Sequence, residues 1–258
     1  MAYETLDLSL DEGIATVHLR NPPVNAIDQS ARGELADLLD RLREPDVRVV
    51  VFEGEPDVFS VGADISLFET ALDWTTQEFR RNSRVLGRVF DGLEELEKPV
   101  VAAVEGTCVG GGLELALACD VRIASPDATF GFPEHNIGLI PGLGGCSRFV
   151  HLVGPGKAKD LVFTGELFDG TTAHDLGVVE RLDENPNAVA ADYARNLLDQ
   201  PPQALGLAKR VVNAARDADR TTAGLLESLA QSTLLETADH REGLEAFREK
   251  RDPDFSGE

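Results

Sequence analysis

Two glutamates stand among apolar and small residues. Glu114 lies two residues after three consecutive glycines and precedes an apolar stretch, and Glu134 directly follows the segment Phe130 to Pro133. A carboxyl group in such surroundings resists ionisation unless a partner stabilises its charge, so we expect its pKa to be raised. Carboxyl groups with raised pKa values are suited to proton transfer. Both glutamates are therefore candidate catalytic residues.

The three glycines before Glu114, Gly110 to Gly112, lie where a predicted strand passes into a predicted helix. Without Cβ atoms, the main chain there can turn its N–H groups outward at the positive end of a helix dipole. Such a junction can receive an anion or an oxyanion. The structural alternative for these glycines is close packing of the helix against the strand.

Each glutamate also has a structural alternative. Glu114 could be a helix residue paired with Arg122 or Arg148, and Glu134 could be a loop acid that faces solvent. Asp120 follows the apolar helix at a turn, and we interpret it as a structural cap or turn former. His135, beside Glu134, is by default a structural histidine.

The remaining elements follow from hydrophobic periodicity. Residues 6–19 predict a β-hairpin, and leucines at 35, 38, 39 and 42 predict an amphipathic helix that Pro45 ends. Buried strands are predicted over 47–52, 99–104 and 121–124, with a helix over about 76–96 before the second of them. This order predicts an α/β core with crossovers, at residues 1–186. Residues 187–258 predict four helical stretches without a strand.

Composition excludes several classes of protein. The net charge of −22 would repel polyanions, which argues against binding of nucleic acid or anionic membranes. No apolar run approaches the roughly 20 residues that span a bilayer. Residues 1–5 lack the features of a secretory signal, so we expect a cytoplasmic protein. Only 5 of the 24 basic residues are lysine, which suits solubility in high salt, although a GC-rich genome would also favour arginine.

Metal and nucleotide sites are not indicated. The three cysteines, Cys108, Cys119 and Cys146, are too widely spaced for a metal site or a disulfide framework, and we expect them to pack as small apolar residues. The five histidines show no metal spacing. Residues 154–158 lack the spacing and the hydroxyl residue of a phosphate-binding loop. We therefore predict no metal and no redox cofactor.

Five segments, in order along the chain, resemble the enoyl-CoA hydratase/isomerase (crotonase) superfamily. They are Phe59–Ile65, Glu97–Asp120, Phe130–Gly145, Phe163–Phe168 and Phe247–Phe255. The resemblance implies a spiral of ββα units followed by a C-terminal α-helical region that forms homotrimers, commonly stacked as homohexamers. It also implies an acyl-CoA thioester as substrate.

By position, the family's two oxyanion-hole amides match Ala63 and Gly111, and its two hydratase glutamates match Glu114 and Glu134. The oxyanion hole would stabilise the enolate that forms on the thioester oxygen. Contacts to the substrate and to CoA are implied for Gly62, Ala63, Asp64, Ile65, Gly110, Pro133 and Gly142.

Because isomerases of the family usually keep only the second acid, the presence of both glutamates favours an enoyl-CoA hydratase, a lyase of fatty-acid metabolism. The alternatives are isomerisation of an enoyl-CoA, hydrolysis of an acyl-CoA, and a non-catalytic binding protein. Several positions depart from the family's pattern, among them Cys146 and Ser147, which replace the more usual Thr-Gln before Arg148. His135 and Asn136 stand where many members carry apolar residues that line the acyl pocket, and Ser66 stands where several carry a lysine near CoA.

Overall fold

Short strands alternate with helices through residues 6–182 of the computed structural model, which describes residues 3–258. Met1 and Ala2 lie outside the described residues. They belong to residues 1–5, which lack the features of a secretory signal. The strands are β1 (Leu6–Asp11), β2 (Ile14–Leu19), β3 (Ala26–Ile27), β4 (Val49–Glu53), β5 (Val58–Ser60), β6 (Gly62–Ala63), β7 (Val100–Val104), β8 (Thr107–Val109), β9 (Val121–Ala124), β10 (Thr129–Gly131), β11 (Phe168–Asp169) and β12 (Arg181–Leu182).

The helices lie between the strands and after them. They are α1 (Gln29–Leu42), α2 (Ile65–Ala71), α3 (Thr76–Glu95), α4 (Gly111–Ala118), α5 (Gly145–Thr164), α6 (Gly170–Asp175), α7 (Pro186–Leu198), α8 (Pro202–Ala215), α9 (Arg220–Leu234) and α10 (Ala238–Glu249). A short 3-10 helix spans Pro133–Ile137, and α5 is kinked at Gly154, which precedes Pro155.

The strands form two main sheets. The larger sheet has the order β1-β2-β4-β7-β9-β12, and the smaller has the order β11-β10-β8-β5. Pairs β2/β4, β4/β7, β7/β9 and β9/β12 are parallel, as are β5/β8 and β8/β10. Three successive turns of the chain, which begin at β4, β7 and β9, thus each add one strand to the larger sheet, one to the smaller sheet, and then helical structure. The third sheet pairs only β3 with β6, in parallel.

The two faces of the larger sheet are buried against different helices. One face packs with the leucines of α1 and with Leu86, Phe90 and Leu93 of α3 in the main core. The other face packs against Ala190 and Ala194 of α7. Because both faces are covered, the central strands are almost entirely apolar, as parallel strands usually are. The boundary between residues 186 and 187 stays a prediction.

Helix α8 is attached to the core through buried polar groups. Lys209 donates from Nζ to the carbonyl oxygens of Leu93 (2.8 Å) and Lys98 (3.1 Å), and it pairs with Asp120 at 2.8 Å. Asp120 also accepts from the N–H of Val100 at 2.7 Å. Asp120 is therefore structural, but it joins a strand to α8 and does not cap α4, whose C-cap is Cys119.

The predicted elements with clear periodicity are confirmed. The hairpin turns at Glu12 and Gly13, both with positive φ, and α1 buries the four predicted leucines. The strands at 47–52, 99–104 and 121–124 are present within two residues of their predicted limits, and four helices follow residue 186. Within residues 3–258, no helix is long and apolar enough to cross a membrane.

Candidate active site

Glu114 lies in the first turn of α4 and is only 2% exposed. Its Oε1 accepts two hydrogen bonds from main-chain amides, that of Leu143 at 2.7 Å and that of Gly145 at 2.8 Å. The loop at residues 141–145, just before α5, thus encloses the carboxyl group and provides its nearest polar partners.

Burial decides the ionisation of Glu114. Loss of hydration raises its pKa from 4.5 to about 7, and the charge of Glu134 adds to the rise. The two amide donors and the positive charge of Arg148 act in the opposite direction. The result is a carboxyl group that can both take and give a proton near neutral pH.

Glu134 lies in the short 3-10 helix and reaches towards the glycine run. Its Oε1 is 3.2 Å from the point where a Cβ on Gly110 would stand. Its Oε2 is buried and has no hydrogen-bond partner among the described residues. Burial raises the pKa of this carboxyl group as well. A buried acid with an unpaired oxygen is costly to stability and is characteristic of functional sites.

Strand β6 touches the start of α4 through main-chain atoms. A Cβ on Gly62, whose φ is +83°, would lie 2.4 Å from the nitrogen of Gly111. A Cβ on Gly111 would lie 3.4 Å from the nitrogen of Ala63. The amides of Ala63 and Gly111, the two predicted oxyanion-hole positions, are therefore neighbours across this contact.

The directions of the neighbouring amides leave these two available. In β6, the N–H of Gly62 donates to Oγ of Ser60 (3.1 Å), and that of Asp64 donates to the carbonyl of Ile27 (3.4 Å). Successive N–H groups of a strand point in opposite directions, so the amide of Ala63 points away from β3. Gly111 is the first residue of α4, where an N–H has no acceptor within the helix.

The other predicted contact residues lie in the segments next to β6, at the start of the 3-10 helix and in the loop before α5. Asp64 caps α2 by accepting from the N–H of Ser66 at 2.7 Å, and hydrogen bonding by the side chain and the main chain of Ser66 lowers the pKa of Asp64. Ile65 is 56% exposed. Pro133 begins the 3-10 helix, and Gly142 lies exposed in the loop that encloses Glu114.

A cleft of about 500 Å³ borders the segment that follows Ala63. Most of the residues that line it are polar, and a single tryptophan contributes to it. The lining residues are Asp28, Gln29, Ser30, Ser66, Leu67, Thr70, Trp74 and Asn82. The volume is in the range of sites for small molecules.

Glu114 is not paired with Arg122 or Arg148, and Glu134 is partly buried, so the structure does not show the structural alternatives for the two glutamates. Arg122 pairs with Glu180, and Arg148 pairs with Asp91 and Glu94, so neither arginine is the partner of Glu114. Glu134 is not a fully exposed loop acid. For the glycines, packing and amide presentation occur together, since a Cβ on Gly112 would lie 2.2 Å from the carbonyl oxygen of Ser60.

Several residues of the site have no sequence signal of their own. The amides of Leu143 and Gly145 come from about 30 positions after Glu114. Buried Ser60 accepts from Gly62 and donates to the carbonyl of Asn25, which braces the turn into β6. The closely spaced glycines Gly142, Gly144 and Gly145 are the sequence hint that this loop approaches another element.

The three cysteines and His135 lie in different surroundings. Cys108 and Cys119 are buried as expected, but Cys146 is exposed, so its predicted packing role is wrong. Partial burial raises the pKa of the Cys146 thiol, and the charges of Glu114 and Glu134 add to the rise, which places the thiol near both carboxyl groups. The ring of His135 lies against Gly165 at the end of α5, in keeping with a structural histidine.

Among residues 3–258, no group of three or more His, Cys, Asp or Glu side chains is arranged to hold a metal ion.

Comparison with known proteins agrees over almost the whole chain. A sequence model of the enoyl-CoA hydratase/isomerase family matches residues 9–258. The crotonyl-CoA hydratase of Syntrophomonas wolfei is 34% identical, over 99% of this chain and 99% of that protein. The short-chain-enoyl-CoA hydratase of Clostridium acetobutylicum is also 34% identical, over 97% of each chain.

Solved structures agree as well. The crystal structure of an enoyl-CoA hydratase from Bacillus anthracis superposes with a TM-score of 0.92 at 30% identity, covering 99% of this chain and 100% of that one. The sheet order, the glycine-bounded contact between β6 and α4, and the sequence matches lead to the same assignment. The chain has the crotonase fold and is an enzyme of the enoyl-CoA hydratase/isomerase family.

Proposed function

We propose that the enzyme is an acyl-CoA hydratase that adds water reversibly, in syn fashion, to a trans-2-enoyl-CoA and gives a 3-hydroxyacyl-CoA. The observation that carries the proposal is the buried carboxyl of Glu114, with a pKa of about 7, whose ionisation is coupled to the nearby Glu134. Two acids in one enclosed site suit a reaction that takes one proton and gives another. The names of the relatives support the same reaction.

The thioester oxygen would accept hydrogen bonds from the amides of Ala63 and Gly111. As the oxygen of water bonds to C3, the electron pair of the C2=C3 bond moves towards the thioester, and negative charge develops on its oxygen. Donors already fixed at that point stabilise the enolate more than the ground state. The contact between Gly62 and Gly111 supports this role because it holds the two amides side by side.

The glutamates would carry the two protons. One carboxylate takes a proton from the attacking water, and the other, in its acid form, delivers a proton to C2; the roles reverse in dehydration. Oε2 of Glu134, buried without a partner in the described chain, offers an acceptor for the water or the product hydroxyl. The scheme needs no metal and no redox cofactor, since the main chain and two carboxyl groups supply every step. A cytoplasmic location and the absence of nucleic-acid partners stay predictions.

Assembly into trimers or hexamers is part of the proposal. None of the residues of α9 is buried within the single chain, although Leu225 and Leu229 share one side of it. With Val212, Leu235 and Phe247, they are 55% to 84% exposed. Apolar surface of this extent on helices α8 to α10 is typical of contacts between copies.

Light scattering checks the assembly. We expect a particle of three or six times the chain mass of 27.8 kDa, because burial of these side chains favours association. A monomer at micromolar concentration would contradict the proposed assembly.

The reaction is tested with crotonyl-CoA, whose absorbance falls when its conjugated double bond is hydrated. We expect activity in the wild-type enzyme and a loss of kcat on the order of 10² to 10⁴-fold in Glu114→Gln and in Glu134→Gln. Glu184→Gln, at an exposed position before α7, is the matched control and should be unaffected.

Product analysis separates the alternatives. Release of free CoA would indicate hydrolysis, and a shifted double bond would indicate isomerisation. A wild-type enzyme that leaves short, branched and aromatic enoyl-CoA thioesters all unchanged would refute the hydratase proposal.

The oxyanion hole is tested through Gly62. A Cβ at this position would meet the nitrogen of Gly111 at 2.4 Å, and the φ of +83° disfavours any other residue. We expect Gly62→Ala to separate the two amides and to lower kcat on the order of 10² to 10³-fold, the usual cost of losing one such donor. Gly87→Ala, in α3 with nothing within 4 Å of the added Cβ, should keep full activity.

Burial of Glu114 also predicts a pH-dependent stability difference. Its folded pKa lies above the unfolded value, so stability is fully present below about pH 4.5 and is lost as the pH rises through about 7. The rise from 4.5 to about 7 corresponds to about 3 kcal/mol. We therefore expect Glu114→Gln to be more stable than the wild type by up to this amount at pH 8, and equally stable near pH 4.

Urea unfolding at several pH values and one fixed protein concentration measures this difference. Glutamine can still accept the amides of Leu143 and Gly145, so the substitution removes mainly the charge. A Glu114→Gln enzyme that is less stable than the wild type at pH 8 would show that the charge is not a burden on the fold.

A further inference from the structure

The loop that encloses Glu114 is itself held by one buried arginine. Arg148, in the first turn of α5, is 6% exposed on its side chain. Its Nη1 donates to the carbonyl oxygen of Leu143 at 3.0 Å. The carbonyl of Leu143 is thus tied to Arg148, while the N–H of the same residue donates to Glu114.

The guanidinium also lies against the middle of the loop. A Cβ on Gly144, whose φ is +104°, would lie 1.8 Å from Nη1 of Arg148. Gly144 stands between the two residues whose amides bind Glu114. Arg148 therefore contacts the main chain at Gly144, between the two amides that donate to Glu114.

Two carboxylates of α3 fix the guanidinium in turn. Nη2 of Arg148 donates to Asp91 at 2.7 Å, and both Nε and Nη2 donate to Oε2 of Glu94, at 3.1 and 3.0 Å. The other oxygen of Glu94 accepts from Arg216 of α8 at 2.7 Å. This arrangement uses the planar fork of arginine, which the point charge of a lysine cannot reproduce.

We propose that Arg148 is a positioning residue, which holds the amides of Leu143 and Gly145 against the Glu114 carboxyl and thereby sets its proton affinity and orientation. The catalytic consequence rests on the proposed hydratase function; the effect on the carboxyl group itself does not. Arg148 does not touch the predicted reacting atoms and acts through the loop.

The direction of the effect follows from the groups that face Glu114. From the 3-10 helix, Glu134 raises its pKa, and from α5 the positive charge of Arg148 lowers it. Cys146 of α5 and Cys108 of β8 are thiols with raised pKa values, and β5 and β6 bring no ionisable side chain. From α3, Asp91 and Glu94 are paired with Arg148. Loosening the loop therefore removes stabilisation of the carboxylate, and the pKa of Glu114 rises.

Two substitutions at Arg148 distinguish the planar hydrogen-bonding geometry of its guanidinium from its positive charge. Arg148→Lys keeps a positive charge but cannot bind the loop and both acids together. Arg148→Gln removes the charge and keeps one donor for Leu143. Folding should survive because Glu94 keeps Arg216 and Asp91 is 65% exposed, so neither acid is left buried without a partner.

Arg122→Lys is the matched control. Arg122 is also buried, 5% exposed on its side chain, and it also donates to main-chain carbonyls, those of Ala116, Cys119 and Val178. Those carbonyls lie at the opposite end of α4 and beyond it, away from the loop at 141–145. A general loss of packing would affect this variant as much as the variants at Arg148.

The first readout is kinetic, with crotonyl-CoA. We expect the variants at Arg148 to lose on the order of ten- to a hundredfold in kcat with little change in KM, since a displaced catalytic group costs about this much. The limb of the pH profile that belongs to Glu114 should move to higher pH, more in Arg148→Gln than in Arg148→Lys. Arg122→Lys should keep the wild-type profile.

The second readout needs no activity. Infrared titration follows the protonated carboxyl band that disappears in Glu114→Gln, and we expect its midpoint to rise in both variants at Arg148. Midpoints equal to that of the wild type would overturn the proposal, and so would an equal rise in Arg122→Lys. A raised midpoint in an enzyme without hydratase activity would support the positioning role and refute the proposed reaction.

Discussion

The main chain of β6 lies directly against the first turn of α4, and the whole site depends on that contact. No side chain separates the two elements, because glycine stands at 62, 111 and 112. The close approach brings the amides of Ala63 and Gly111 together. Glu114 lies about one helical turn after Gly111, and its side chain is buried. In the proposed reaction, backbone atoms set by the fold would define where charge is stabilised, and the side chains would supply only protons.

Much of this could be predicted from the sequence where a local pattern is strong. In the buried strand at 49–53 and in α1, the apolar residues occur at the positions that the structure buries, so the pattern along the sequence indicates the element. Glu114 and Glu134 stand out for the same reason, since an acid among apolar residues conflicts with its surroundings. The run Gly110 to Gly112 also indicates the site, because a side chain at these positions would crowd the atoms packed against them.

The rest could not be predicted because it has no periodicity. Strands such as β8 and β10 have three residues each and exist only because neighbouring turns of the spiral pair with them. The donors to Glu114 are amides, which every residue but proline carries, so their identity depends on how the loop at 141–145 folds back. Cys146 looked like a packing residue but is exposed, since only that fold shows which side of α5 meets solvent.

The way in which α8 holds the core has a consequence for how this family can vary. Lys209 and Asn213 bind the carbonyl oxygens of residues 93, 94 and 98, and carbonyls are the same whatever side chain the residue bears. Mutations that change side chains in that connection leave these three bonds in place, whereas replacing the lysine or the asparagine removes them. As far as these three bonds are concerned, evolutionary drift should therefore be tolerated at the residues that offer the carbonyls and restricted at Lys209 and Asn213. Asp120 and Glu94 should also be restricted, because their side chains pair with Lys209 and Arg216.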